Sequence, residues 1–305
     1  MLEMVIIHVM GGLGNQLYQY ALYEKFKQLG REVKLDLYAY KGAKGEDREW
    51  RELELEWLDG LSYEVCTDKE RTDFLDNSMK LQDRVRRKIF GRKSHMVKES
   101  DAYMSELFEM DNVYLYGFWG CDRYYTDIED MLRKKIRFPV SQNPQNAAAN
   151  AAAMEAMETE ESVSLHIRRK DYLTVADGKR YMGICTDKYY QAAMNYIAQR
   201  AENPIFYIFS DDADYARTHF SGANMRIVDW NQGRESFHDM ELMSHCRHNI
   251  CANSTFSIWG ARLNPNPAKI MVRPLRHDNY ETMETAQIRE NWKGWVLIDA
   301  DGKLC

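Results

Sequence analysis

Val-Ser-Leu-His-Ile-Arg-Arg-Lys-Asp-Tyr, residues 163–172, decides how the rest of the chain is read. Val163, Leu165 and Ile167 alternate with Ser164, His166 and Arg168, a pattern that predicts a short buried strand. Arg168, Arg169, Lys170 and Asp171 follow at its C-terminal end. In an open α/β sheet, ligands bind at that end of the strands. Guanidinium groups there match the paired oxygens of phosphate or carboxylate. Side chains alternate along a strand, so His166 and Arg168 share one side. A solvated charge cluster just past a strand is the other reading of these residues.

Downstream the pattern becomes regular. Predicted strands at 163–167, 205–209, 226–228, 248–251 and 269–272 are separated by predicted helices near 187–200, 212–220, 235–245 and 254–263. Strands spaced by helices of this length imply a parallel, doubly wound sheet with right-handed crossovers. Upstream, the alanine-rich stretch 147–160 predicts a helix. The polar, proline-containing link 141–146 before it sets the expected boundary between domains 1–145 and 146–305.

The N-terminal half opens with a predicted buried strand at 5–9, a glycine-rich turn at 10–16, a helix at 16–29 stopped by Gly30, and a strand at 33–38. Gly12, Gly14 and Asp36 partly match a dinucleotide fingerprint, but Leu17 stands where the third glycine belongs. A further strand is expected at 113–119, followed by a helix at 123–137. The aromatics ending that strand either stack on a sugar face or fill a core. Residues 64–99 read as exposed helices with basic runs such as Arg84-Val85-Arg86-Arg87-Lys88. These are either solvated faces or a surface for an anionic membrane.

Composition bounds the function. The 305 residues are 45% hydrophobic and 12% aromatic, enough for one large or two medium domains with a sizeable core. A net charge of −6 with interspersed signs argues against nucleic-acid binding by bulk charge, so any anion site is local. Six cysteines form no C-x-x-C pair and are expected as free thiols in a reducing compartment. No apolar run reaches the length of a spanning helix, and the first residues do not read as a signal peptide. The expectation is a soluble cytoplasmic protein, with peripheral contact to the inner face of the membrane left open. The oligomeric state is left open as well.

Four groups fall at loop mouths of the alternation: His166-x-Arg168-Arg169-x-Asp171, Ser210-Asp211-Asp212, Asp239, and Asn253-Ser254-Thr255-Phe256-Ser257. The last group opens a helix, so it suits either a phosphate seat or an ordinary N-cap. Asp211-Asp212 lacks the D-x-D spacing of carboxylates that hold a metal on a nucleotide sugar, and Arg168 supplies positive charge. A metal-free site is therefore expected, with capping of the next helix as a second role for Asp212. His245, Cys246, His248 and Cys251 have poor zinc spacing. No G-x-S-x-G elbow supports a hydrolase.

Taken in order, Gly11-Gly12-Leu13-Gly14-Asn15-Gln16 with Tyr18-Gln19-Tyr20-Ala21, His166-x-Arg168-Arg169-x-Asp171-Tyr172, Phe209-x-Asp211-Asp212 and Asn253-Ser254-Thr255-Phe256-Ser257-x-Trp259-Gly260-Ala261 resemble the bacterial α-1,2-fucosyltransferases of glycosyltransferase family 11. The resemblance spans nearly the whole chain. It implies a GT-B architecture of two Rossmann-like domains facing a cleft. It also implies an inverting, metal-independent transfer of fucose from GDP-fucose to the 2-OH of a terminal β-galactoside, such as lactose or a surface polysaccharide repeat. The resemblance places Arg168 on the pyrophosphate with Ser254, Thr255 and Phe256, Asp239 on guanine N1 and N2, and Asn15, with Gly12 and Gly14 of its loop, near the leaving phosphate. His166 and Asp171 belong to the same donor motif. No motif residue is an obvious base; Asp36, Asp122, Asp171 and Asp177 are candidates. Gly120 stands where the family pattern has glutamine, which bears on the acceptor. Alternatives are a GDP-sugar transferase with another acceptor or linkage, an NAD(P)-binding oxidoreductase, and a non-catalytic sugar-binding protein.

Overall fold

The computed structural model describes residues 4–41, 52–174 and 178–305. The chain divides into two compact units, Met1–Ile128 and Glu129–Cys305. Both are α/β with parallel sheets, the class expected.

In the first unit, β1 (Met4–His8) leads into α1 (Leu13–Gln28) and β2 (Glu32–Asp36). Then come α2 (Asp68–Leu75), α3 (Leu81–Phe90), β3 (Met96–Lys98) and β4 (Val113–Tyr116). The four strands pair in parallel in the order β2-β1-β4-β3. β1 buries Val5, Ile6 and Ile7 on both faces, which is why it reads as a continuous apolar run. α1 begins three residues earlier than its apolar spacing indicates. Gly12 is its N-cap, so Gly14 and Asn15 stand in its first turn, and only Gly11, at φ +82°, needs the freedom of glycine.

The second unit carries α4 (Glu129–Lys135), α5 (Pro144–Thr159), β5 (Ser162–Ile167), α6 (Lys170–Thr174), α7 (Asp187–Ala198) and β6 (Ile205–Ser210). It continues through α8 (Ala213–His219), β7 (Met225–Val228), α9 (His238–His245), β8 (His248–Ile250) and α10 (Thr255–Leu263). β9 (Met271–Pro274), α11 (Thr285–Asn291) and β10 (Val296–Ile298) complete it. All six strands are parallel, in the order β10-β9-β8-β5-β6-β7. Val163, Leu165 and Ile167 pack on Tyr189, Tyr190 and Ile197 of α7. On the other face, Tyr207 and Phe209 meet Met157 of α5 and Leu242 and Met243 of α9. With each such side chain contributing about 1.5–3 kcal/mol on burial, this two-sided core fixes where the strand ends fall.

Two expectations change, whereas the buried strand read at 163–167 forms: all six residues of β5 are buried, because helices cover both sides of a parallel sheet. Ser164 is satisfied there by Asn249 Nδ2 at 2.8 Å. The helix expected over 123–137 breaks into two 3₁₀ turns, Asp122–Tyr124 and Thr126–Ile128, followed by α4. The division of the chain also falls at residue 128 rather than 145. α4 packs on α10, Phe138 stacks on Phe237 at 6.3 Å, and Ser141 donates to Glu235, so the link already belongs to the second unit. The alanine-rich helix does form, with Asn143 capping the N–H groups of Gln145 and Asn146 and Pro144 in the first turn.

Candidate active site

The second sheet reverses direction at β5. The chain runs outward from β5 through β6 to β7, then returns to place β8 on the other side of β5. The carboxyl ends of β5 and β8 therefore flank a topological switch point, where open α/β sheets hold ligands. Arg168 follows β5 directly, and Asn253–Phe256 follow β8. Two motifs 85 residues apart in the chain meet there because His166 and Phe256 close on each other, ring centroids 5.8 Å apart.

Arg168 is held by Asp211, with Nε 3.4 Å from Oδ2, and its side chain stays 26% exposed. Arg169 pairs with Asp212 at 3.4 Å and lies over the Tyr215 ring. Asp211 also accepts the backbone N–H groups of Arg169 at 2.8 Å and Lys170 at 3.2 Å, capping α6. Asp212 accepts the Tyr215 N–H as the N-cap of α8. The two carboxylates thus orient two guanidiniums.

The opening of α10 is different. Ser254 is its N-cap residue, yet its hydroxyl makes no capping hydrogen bond. The simple N-cap reading of the Ser-Thr pair is therefore not what the structure shows. The first-turn N–H groups receive nothing from Ser254 and stand at the positive end of the helix. Asn253 is a scaffold residue: Nδ2 donates to the carbonyls of Tyr181 and His277, and its own carbonyl accepts the Tyr172 hydroxyl at 2.8 Å. Beside Arg168 and Arg169, an open pocket of about 100 Å³ is walled by Tyr172, Tyr181, Cys185 and Asn253.

His166 is 4% exposed, and its Nδ1 has no hydrogen-bond partner among the described residues. Burial, with Arg168 adding to it, pushes its pKa down to about 3, so the ring is neutral. Asp239 stands in the first turn of α9, also at the carboxyl edge of the sheet. Asn231 Nδ2 donates to it at 3.0 Å, and Asn231 is itself locked by a reciprocal pair of hydrogen bonds with Asn150. Burial pushes Asp239 up to about 8, against that stabilising hydrogen bond and with Asp229 adding repulsion.

In the first unit, β1 and β4 flank a second switch point. Two glutamines of α1 staple it. Gln19 bridges the Met10 N–H and the Gly117 carbonyl, and Gln16 donates to the carbonyls of Gly11 and Glu52 while accepting the Leu55 N–H. Asn15 leans on Gly11: a Cβ added there would lie 2.5 Å from Asn15 Nδ2. Trp119 is wholly buried at φ +59°, whereas Tyr116 and Phe118 stay exposed at the strand end. Phe118 and Gly120 donate their N–H groups to Glu99, which fills the turn where Gly120 stands.

Of the four base candidates, Asp36 is 2% exposed and engaged by the Tyr114 hydroxyl, Arg71 Nε, the Tyr38 N–H and His8. Those donors hold its carboxyl below the usual range although burial opposes them. That geometry orients its neighbours and is poorly suited to taking a proton. Asp122 is buried in its 3₁₀ turn. Asp171 lies on α6, but its side chain is outside the described residues, as is Asp177. The His8–Asp36–Tyr114 cluster carries no sequence signal, since strand register alone assembles it.

The chain is similar to an "Alpha-1,2-colitosyltransferase" of Escherichia coli, 29% identical over 98% of this chain and 100% of that protein. It is also similar to the "O-antigen biosynthesis glycosyltransferase WbnK" of Escherichia coli, 31% identical over 87% of this chain and 92% of that protein. A shorter match, 34% identical over 33% of this chain and 28% of the other, is to "Galactoside alpha-(1,2)-fucosyltransferase 1" of Sus scrofa. The model of "Glycosyl transferase family 11" matches residues 4–296, spanning both sheets and every motif above, and the chain belongs to that family.

Proposed function

We propose that the protein is an inverting, metal-independent glycosyltransferase that moves L-fucose from GDP-fucose to the 2-OH of a terminal β-galactoside. The observation that carries this reading is the pairing at one switch point of Arg168 with the uncapped start of α10. That arrangement suits a diphosphate, with a guanidinium on one side and helix N–H groups on the other. In sugar transfer the anomeric carbon becomes oxocarbenium-like while negative charge grows on the departing GDP. Groups aimed at that charge stabilise the transition state more than the ground state. Asp239 accepts guanine N1–H and N2–H, which adenine and uracil do not offer in that pattern. His166, neutral and buried, gives Arg168 a wall without a competing charge. Metal independence is supported by Asp211 and Asp212, whose oxygens face arginines.

A second reading keeps the site and changes the sugar, because a colitosyltransferase matches this chain end to end. Released GDP is the readout that separates these readings: GDP-fucose with and without lactose, in EDTA, with GDP-mannose as the control donor. Lactose-dependent, EDTA-resistant release yielding a 2-linked fucose is the expected result. Release from no fucosyl donor, with GDP still bound, would move the proposal to the second sugar. No GDP binding would overturn both.

A further inference from the structure

We propose that α3 is a docking surface for an anionic lipid bilayer. An ordinary surface helix turns its apolar face inward. α3 is reversed. Its partly buried residues are Asp83, Arg86 and Arg87, whereas Leu81, Ile89 and Phe90 are 75%, 66% and 71% exposed and none of its residues is buried. The charged face fastens the helix to its unit: Arg86 donates to Asp76, and Arg87 Nη2 donates to the Ser78 carbonyl at 2.5 Å. Asp76 also accepts the Lys93 N–H at 2.7 Å, fixing the chain beyond the helix. At helical spacing Leu81, Val85 and Ile89 form one outward stripe, with Arg84 and Lys88 along its flank.

Charge selects the occupant. Residues 79–98 hold eight basic side chains against the single carboxylate of Asp83, in a chain whose net charge is −6. A second copy would bring two such clusters together, and like charges facing each other disfavour that contact. A nucleic acid would use the cations and leave the apolar stripe in water. A bilayer with anionic headgroups uses both. The stripe enters the acyl boundary while the long basic side chains reach back to the phosphates.

The test is flotation of the full-length protein with vesicles of phosphatidylcholine alone or with about 30% phosphatidylglycerol, at about 0.1 M and 0.5 M NaCl. The expected result is flotation only with the anionic vesicles, weakened at high salt. Val85→Asp with Ile89→Asp should reduce partitioning at least tenfold, and Arg84→Gln with Lys88→Gln should reduce it as well. These four side chains are exposed, so circular dichroism and Tm should stay at wild-type values. Absence of flotation, or unchanged flotation of both variants, would overturn the proposal. So would a concentration-dependent dimer lost in the Val85→Asp, Ile89→Asp variant, which would make a second copy the occupant. Salt-sensitive RNA binding without vesicle binding would do the same for nucleic acid. None of these readouts depends on sugar transfer.

Discussion

The carboxyl of Asp239, pushed up to about 8, makes donor binding pH-dependent on the proposed reading. Only the carboxylate can accept two guanine N–H bonds. It makes up about one half of the free protein at pH 8, about one in eleven at pH 7 and about one in a hundred at pH 6. Apparent affinity scales with the competent fraction, so binding of GDP-fucose should tighten about 50-fold from pH 6 to pH 8, about 2.3 kcal/mol. At pH 7 each binding event should release about 0.9 proton. GDP-fucose is the right probe, because its esterified diphosphate has no group titrating in this range, whereas free GDP has one. Calorimetry in two buffers of different ionisation enthalpy reads affinity and proton release together. Asp239→Asn should flatten the profile and bind more weakly than wild type at pH 8. Affinity that stays level between pH 6 and pH 8, or a wild-type slope that survives in Asp239→Asn, would refute the guanine assignment.

Arg168→Ala should cut turnover by about 10²–10³ with little change in Tm, since the lost guanidinium acts on developing charge at a partly exposed site; steady-state kinetics beside a melting curve decides it. His166 has a folded pKa of about 3 against 6.5 unfolded, so the folded state binds fewer protons between these values. Its contribution to stability is present at neutral pH and is lost as pH falls below 6.5, about 2 kcal/mol by pH 5. His166→Gln should remove that part of the slope in urea titrations at pH 5 and pH 7.5. At Gly260 an added Cβ would lie 2.7 Å from Met243 Cβ, so Gly260→Ala should wedge α10 from α9, destabilise by about 1–3 kcal/mol and lower Tm.

What could be read from the sequence was what is local. β5, β6 and α7 between them announce themselves by apolar runs and helical spacing, and charged residues at strand ends mark the edge where open α/β sheets hold ligands. The short elements β3, β10 and α6 gave no such signal, because three to five residues hold too little periodicity. The break in the helix expected over 123–137 was also invisible. Tyr124 and Tyr125 are buried in the first unit, whereas Leu132 belongs to the second, so tertiary packing overrides helix propensity there. At the site, the motif residues were legible and their partners were not. Asp211 is tied to the Arg169 N–H from 42 residues away, and Tyr114 meets His8 across 106 residues. Such pairs are created by parallel register, which places the ends of non-consecutive strands side by side, and no spacing in one dimension records them.

The pairing of Arg168 with Asp211 bears on how the proposed transfer gains rate. The contact is 3.4 Å long and partly open to water, a class of ion pair worth about 0–1 kcal/mol. It is strong enough to orient the guanidinium and weak enough to be exchanged. A charge-assisted hydrogen bond to a diphosphate oxygen, at about 1.5–3 kcal/mol, exceeds it, and the excess grows as negative charge builds on that oxygen. The start of α10 takes no cap from the Ser254 side chain. On the proposed reading the helix supplies a steady pull on the donor. Arg168 supplies one that rises along the reaction, as its preference passes from Asp211 to the leaving group. A site built only of unpaired cations would hold donor and product with similar strength. On the proposed reading, a carboxylate for the arginine to return to favours the transition state and still lets the nucleotide go.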